Sequence, residues 1–175
     1  MYHVEANIRC FIDEEPCTCI RQFLKYVVSC GRRSNITKFP NLTIFQQSSY
    51  LYDFTFINRK YRQIPNNSFV NLKIDTLDLS YNEIEIIEPG TFSRIQFLNK
   101  LILKNNNLKS IYLPFIPNFK HLDLSINQIE KIQDDFFSNL TQMEYLNLRN
   151  NRIYEIQEKV IRNLKGLKTI YLNFN

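Results

Sequence analysis

The chain has 175 residues, 22 Lys+Arg against 17 Asp+Glu for a net charge of +5, 44% hydrophobic residues, three glycines and no Trp. That composition fits one globular domain with a sizeable core and excludes a disordered or fibrous chain. The isolated glycines form no phosphate cradle, no apolar run reaches the ~18 residues of a membrane span, and the scattered cations read as a solubility feature.

The amino terminus, MYHVEANIRC, lacks the apolar stretch of a secretory signal. It leads into Cys10, Cys17, Cys19 and Cys30, spaced C-x6-C-x-C-x10-C, which are the only cysteines. Four cysteines permit three pairings, and spacing alone leaves all of them open. A zinc site would favour C-x2-C pairs, and His3 is the one histidine nearby. Disulfides are therefore expected, and with them an oxidising compartment. The sequons at Asn35, Asn41, Asn66 and Asn139 are glycosylation candidates that point the same way.

From Leu51 the chain repeats. LYDFTFINRKYRQI is a degenerate first copy, with Phe54 and Phe56 as strand apolars and Arg59 where later copies hold asparagine. IDTLDLSYNEIEII follows from Ile74, LNKLILKNNNLKSI from Leu98, FKHLDLSINQIEKI from Phe119, MEYLNLRNNRIYEI from Met143 and LKTIYLNFN from Leu167. Asn82, Asn106, Asn127, Asn151 and Asn175 mark the phase, with separations of 24, 21, 24 and 24 residues. The pairs Leu77/Leu79, Leu101/Leu103, Leu122/Leu124, Leu146/Leu148 and Ile170/Leu172 have period two, which predicts short strands with one side inward. Where the chain bends behind each strand, backbone groups lose their ladder partners. An asparagine amide both donates and accepts, so stacked copies can satisfy them as a buried ladder. Five residues apart on the return path, Ile64/Phe69, Ile87/Phe92, Ile111/Ile116, Ile132/Phe137 and Ile156/Ile161 predict a second apolar stack. Pro114 and Pro117 predict an extended or tight return in the 21-residue unit, whereas SNLTQM and RNLKGL can hold a short helical turn.

The template L-x-x-L-x-L-x-x-N-x-L resembles that of leucine-rich-repeat proteins over roughly residues 10 to 175. The cysteine segment, with KYVVSC and the ITKFP beyond it, is similar to the amino-terminal cap of the extracellular members. The resemblance implies an α/β fold class: a right-handed leucine-rich-repeat solenoid, or horseshoe, with a parallel concave sheet and an irregular or short-helical convex side. It implies a cap and lead-in at 1-45 and repeats at 46-175, about six strands with the last truncated, and it implies the pairings Cys10–Cys19 and Cys17–Cys30. The chain stops at the asparagine of its last unit without a second cysteine cap, so it is expected to be a fragment of a longer protein.

The residues between the inward leucines should face solvent in columns. One column is Asp53, Thr76, Lys100, His121, Tyr145 and Thr169; the next is Thr55, Asp78, Ile102, Asp123, Asn147 and Tyr171; a third is Ile57, Ser80, Lys104, Ser125, Arg149 and Asn173. Tyr and Arg are enriched among interface anchors, and they gather toward the carboxyl-terminal end. Lys100, His121, Asp123, Tyr145, Asn147, Arg149 and Tyr171 are the candidate ligand-binding residues. No nucleophile elbow, H-E-x-x-H or histidine-flanked carboxylate pair is present, and Asp134-Asp135 and Asp13-Glu14-Glu15 read as solvated loop charges. Catalysis, metal and cofactor are not expected.

The resemblance implies a non-catalytic extracellular protein-binding module. Its relatives include Toll-type receptors, neuronal guidance and adhesion proteins and hormone-type receptors. A receptor ectodomain for immune recognition or adhesion, anchored by a segment outside this chain, is the leading expectation. A secreted binding or matrix protein is the alternative, with an intracellular adaptor or enzyme as the remaining class. The expected partner is a protein ligand or co-receptor, in a homo- or heterodimer where the receptor pairs. Nucleic acid and membrane insertion within this segment are not expected.

Overall fold

The computed structural model describes the backbone of residues 8–12, 15–22, 25–30, 38–46, 51–132 and 136–175, and the side chains of these except 8–12, 15, 16, 21, 22 and 44. Three strands lead: β1 (Ile8–Ile12), β2 (Glu15–Gln22) and β3 (Lys25–Ser29), each antiparallel to the one before. The repeats then follow one rhythm, a strand on the main sheet and a return. They are β4 (Leu51–Thr55) with return strand β5 (Gln63–Ile64), β6 (Lys73–Asp78) with β7 (Ile86–Ile87), and β8 (Phe97–Ile102). Next come β9 (His121–Asp123) with β10 (Lys131–Ile132), β11 (Tyr145–Asn147) with β12 (Glu155–Ile156) and helix α1 (Glu158–Asn163), and finally β13 (Thr169–Tyr171). The main sheet has nine strands in the order β1-β2-β3-β4-β6-β8-β9-β11-β13, parallel from β3 onward. The return strands pair separately, β5 with β7 and β10 with β12. This is a solenoid of stacked turns.

The period-two pattern sets which side is core. Phe54, Leu77, Leu101, Leu122, Leu146 and Ile170 lie in register across successive strands. The first four are completely buried and Leu146 nearly so. Each such side chain contributes about 1.5–3 kcal/mol by leaving water. Ile64, Phe69, Phe92, Ile111, Ile116, Ile132 and Phe137 fill the return side, and the rings of Phe69 and Phe92 stack at 5.3 Å. One expected pair differs. Ile161 is 48% exposed and Val160 is buried in its place, because α1 occupies residues 158–163 and its turn carries the preceding residue inward. The helix also starts before the RNLKGL segment, while residues 138–143 form turns only.

Each asparagine links two turns. Asn127 Nδ2 donates to the carbonyls of Leu124 and Leu103, and its Oδ1 accepts from the Leu108 N–H at 3.0 Å. Asn106, Asn151 and Asn175 repeat this on Ile84, Ile129 and Ile153 N–H. Arg59 has no amide to offer, and there Asn82 Oδ1 accepts from the N–H groups of Arg59 at 2.8 Å and Tyr61 at 3.4 Å.

The residue before each ladder asparagine turns left-handed, and so does Asn58 before Arg59. Asn58 has φ 58°, Tyr81 56°, Asn105 56°, Ile126 56°, Asn150 56° and Phe174 62°. Asparagine tolerates this conformation, whereas a bulky or β-branched side chain there costs of order 1–2 kcal/mol.

At the amino-terminal end Cys17 and Cys30 form a disulfide, and the Cys30 N–H donates to Thr55 O at 3.2 Å, tying β3 to the first repeat. Cys19 is disulfide-bonded as well; the pairing expected for it, with Cys10, lies outside the described side chains. Phe39, buried, packs edge-on against Phe56, Tyr61 and Phe69 at 5.2–5.7 Å.

Candidate binding face

The side of the main sheet opposite the leucines is open, and the register sets two of the three expected columns on it; in the third, Ser80 and Ser125 are buried rather than solvent-facing, because their hydroxyls turn back to Asp78 and Asp123. Asp53, Thr76, Lys100, His121, Tyr145 and Thr169 align across successive strands, and so do Thr55, Asp78, Ile102, Asp123, Asn147 and Tyr171. The ladder continues past the strand ends, where Tyr81 N–H donates to Lys104 O and Ile126 N–H to Arg149 O, each at 2.9 Å.

Toward the carboxyl-terminal end the columns meet. His121 and Tyr145 lie 5.9 Å apart, and Tyr145 and Tyr171 5.8 Å, which makes a tier of three tilted rings. Beside them Asn147 Nδ2 donates to Asp123 Oδ2 at 3.2 Å, and the Arg149 guanidinium sits 4.8 Å from the Phe174 ring centroid. Burial, then the charges of Asp123 and Tyr171, push the Tyr145 phenol above its ordinary value despite a bond to Asn147. It stays a neutral donor at physiological pH. His121 is half-buried, and its Nδ1 is buried with no hydrogen-bond partner. Lys100 is exposed one strand away, in register with His121. Asp123 is less available than its column suggests. Its Oδ1 accepts from both the N–H and the hydroxyl of Ser125, as Asp78 Oδ1 does from Ser80. These two carboxylates hold their own turns.

The sequon asparagines fall elsewhere. Asn66 and Asn139 are exposed on returns and Asn41 in the lead-in, whereas Asn35 and the pair Asp134-Asp135 lie outside the described residues.

Two features escaped the columns. Lys25 on β3 pairs with Asp53 at 2.6 Å and Asp75 at 2.7 Å, and Asn99 Nδ2 donates to Asp75 Oδ1. A register shift between Tyr52 and Asp53 lets Asp75 join that cluster. Burial alone would raise the Asp75 pKa, but hydrogen bonds from Lys25 and Asn99 and the Lys25 charge outweigh it and hold it low. The second feature is Glu144, just ahead of β11, clamped by Lys168 at 2.7 Å and Lys120 at 3.0 Å. Hydrogen bonds from Lys168 and then Lys120 lower its pKa from 4.5 to about 2. A depressed carboxylate stabilises above its unfolded value and loses that contribution as pH falls through its folded one. The melting temperature is therefore expected to fall as pH drops from about 4.5 to about 2. Acid thermal melts of Glu144→Gln should start lower at neutral pH and fall less over the same window.

A two-unit alternation runs along the rim. Asp78-Leu79-Ser80-Tyr81-Asn82 and Asp123-Leu124-Ser125-Ile126-Asn127 match each other, and between and after them stand Ile102-Leu103-Lys104-Asn105-Asn106 and Asn147-Leu148-Arg149-Asn150-Asn151. The signal lay in the residue before each asparagine, which the repeat template leaves unspecified.

Comparison with known proteins agrees with this architecture. The family model described as Leucine rich repeat matches residues 57–111 and 117–175. A solved structure, that of the Toll - Spatzle complex, a molecular hub in Drosophila development and innate immunity, matches with a TM-score of 0.56 at 21% identity. The match covers 70% of this chain and 20% of that one, so the likeness is one of fold and this chain spans a fifth of the neighbour's length. No curated protein matches significantly.

Proposed function

The chain belongs to the leucine-rich-repeat family, and from that premise we propose that it is a non-catalytic protein-binding module, part of a receptor ectodomain, that takes a protein ligand on the open face of its sheet. The observation that carries the reading is the ring tier of His121, Tyr145 and Tyr171 beside Asn147 and Arg149. Rigid aromatic area flanked by amide and guanidinium donors is the chemistry of interface anchors. The Cys17–Cys30 disulfide, the disulfide-bonded Cys19 and exposed sequons at Asn66 and Asn139 favour an extracellular setting. The neighbouring structure is that of a complex with Spatzle, which supports a protein as the kind of ligand. A secreted binder built on the same face is the second reading, favoured by the same disulfide.

The test is a binding screen of this chain, by biolayer interferometry, against a panel of secreted proteins and cell-surface ectodomains. A specific partner should lose at least tenfold in affinity with Tyr145→Ala/Tyr171→Ala, while thermal unfolding changes by no more than about 1–2 kcal/mol, since Tyr171 is exposed and Tyr145 half-buried. Equal capture by the folded double variant would overturn the assignment of the open face.

A further inference from the structure

The rim beyond the third column carries an unexplained cost. Six successive turns place one residue in the left-handed region, and Asn58, Asn105 and Asn150 suit it, yet Tyr81, Ile126 and Phe174 occupy the alternate turns. Burial does not account for them, since Tyr81 is 45% and Ile126 40% exposed, and Phe174 is exposed too. Strained backbone kept without a packing return marks positions retained for contact. Between these apolar knobs stand cations. Lys104 lies 5.9 Å from the Tyr81 ring centroid and Arg149 4.8 Å from that of Phe174. Neither forms an ion pair with a carboxylate among the described residues. Asp78 and Asp123, which precede the knobs Tyr81 and Ile126 by three residues, are engaged by Ser80 and Ser125.

Spacing narrows the occupant. Adjacent strands lie ~4.8 Å apart, so knobs on alternate turns recur every ~9.6 Å with a cation halfway. A polyproline II chain rises about 3.1 Å per residue with three residues per turn, so every third side chain returns to one face after ~9.3 Å. A β-strand would send every third side chain to the opposite face. A helix would need a seven-residue step of about 10.5 Å and drift ~2 Å out of register over three knobs. A second copy of this chain would set Lys104 and Arg149 against their own kind. We propose that the rim formed by Tyr81, Lys104, Ile126, Arg149 and Phe174 docks an extended acidic segment of a partner protein in polyproline II conformation, with an apolar residue at every third position and carboxylates between.

This surface adds to the open-face reading and shares Arg149 with it, but the two are told apart because the probe is a synthetic peptide and the variants touch none of the open-face rings. The probe is a fluorescein-labelled peptide of five Leu-Glu-Pro repeats, read by anisotropy against this chain. Saturable binding that weakens with salt is expected. Tyr81→Asn/Ile126→Asn/Phe174→Asn, which installs the residue the alternate turns already use, should bind at least tenfold more weakly with Tm raised by about 5 °C or more. The proposal is overturned by absence of saturable binding or by equal binding of a same-composition peptide with leucines clustered at one end. It is equally overturned by equal binding of a helical peptide with leucines every seventh residue, by undiminished binding to the triple variant, or by a Tm of that variant that does not rise.

Discussion

Asn127→Ala is expected to lower the unfolding free energy by about 2–3 kcal/mol, and Asn127→Asp by more. The difference between the two is the informative part. In the parent, Leu103 O and Leu124 O each receive a second donor, from Asn106 and Asn151, so both carbonyls stay bonded after truncation to alanine. The group left without a partner is the Leu108 N–H, in a site where Asn127 is 8% exposed. Aspartate would keep an acceptor for Leu108 but turn a carboxylate oxygen toward the carbonyls of Leu103, Leu124 and Ser125, which Nδ2 now meets at 2.9, 3.0 and 3.3 Å. Repulsion and a buried charge then add to the loss. Urea unfolding of both variants checks this, and an aspartate variant as stable as the alanine one would mean that the amide's donor side contributes nothing.

Phe39→Ala should cost about 3–5 kcal/mol, the range for removing a buried aromatic side chain. Its ring is 5% exposed and meets three others, Phe56 just past the first repeat strand, Tyr61 from the bend and Phe69 from the return, with centroids 5.7, 5.2 and 5.4 Å away. No neighbour can fill the space without breaking its own ring contacts. Hydrogen exchange should localise the loss to the first repeat, leaving the amides of β11 and β13 near parent protection, because stacked repeats couple mainly to their neighbours. Uniform deprotection along the chain would instead mean that the solenoid unfolds as one unit.

The architecture was readable wherever the period of the sequence matched a period of the chain. The L-x-L spacing put Leu101 and Leu103 inward, and the structure buries both completely. Three things were not readable, each for a physical reason. Ile161 follows the five-residue rule of the return path, but helix α1 stands there in place of the non-helical turns that hold Phe69 and Phe92, and it shifts the inward position by one, to Val160. Asp75 sits at an irregularity in strand register, so no column count brings it to Lys25 on a strand with no repeat motif. The knobs Tyr81 and Ile126 are left-handed because the turn demands it, whichever side chain is present, and a template that leaves the position free hides the conflict.

The 21-residue unit carries one more consequence. Between Asn106 and Asn127 the return is three residues shorter than its neighbours, yet Lys100, Leu101 and Ile102 meet His121, Leu122 and Asp123 in unbroken register. Length is absorbed entirely behind the sheet, where Tyr112 and Phe115 stand exposed beside Pro114. Evolution or an engineer can therefore lengthen, shorten or graft onto that loop without retuning the surface that partners read. Insertions and recognition drift independently, and a family built this way can diversify one while preserving the other.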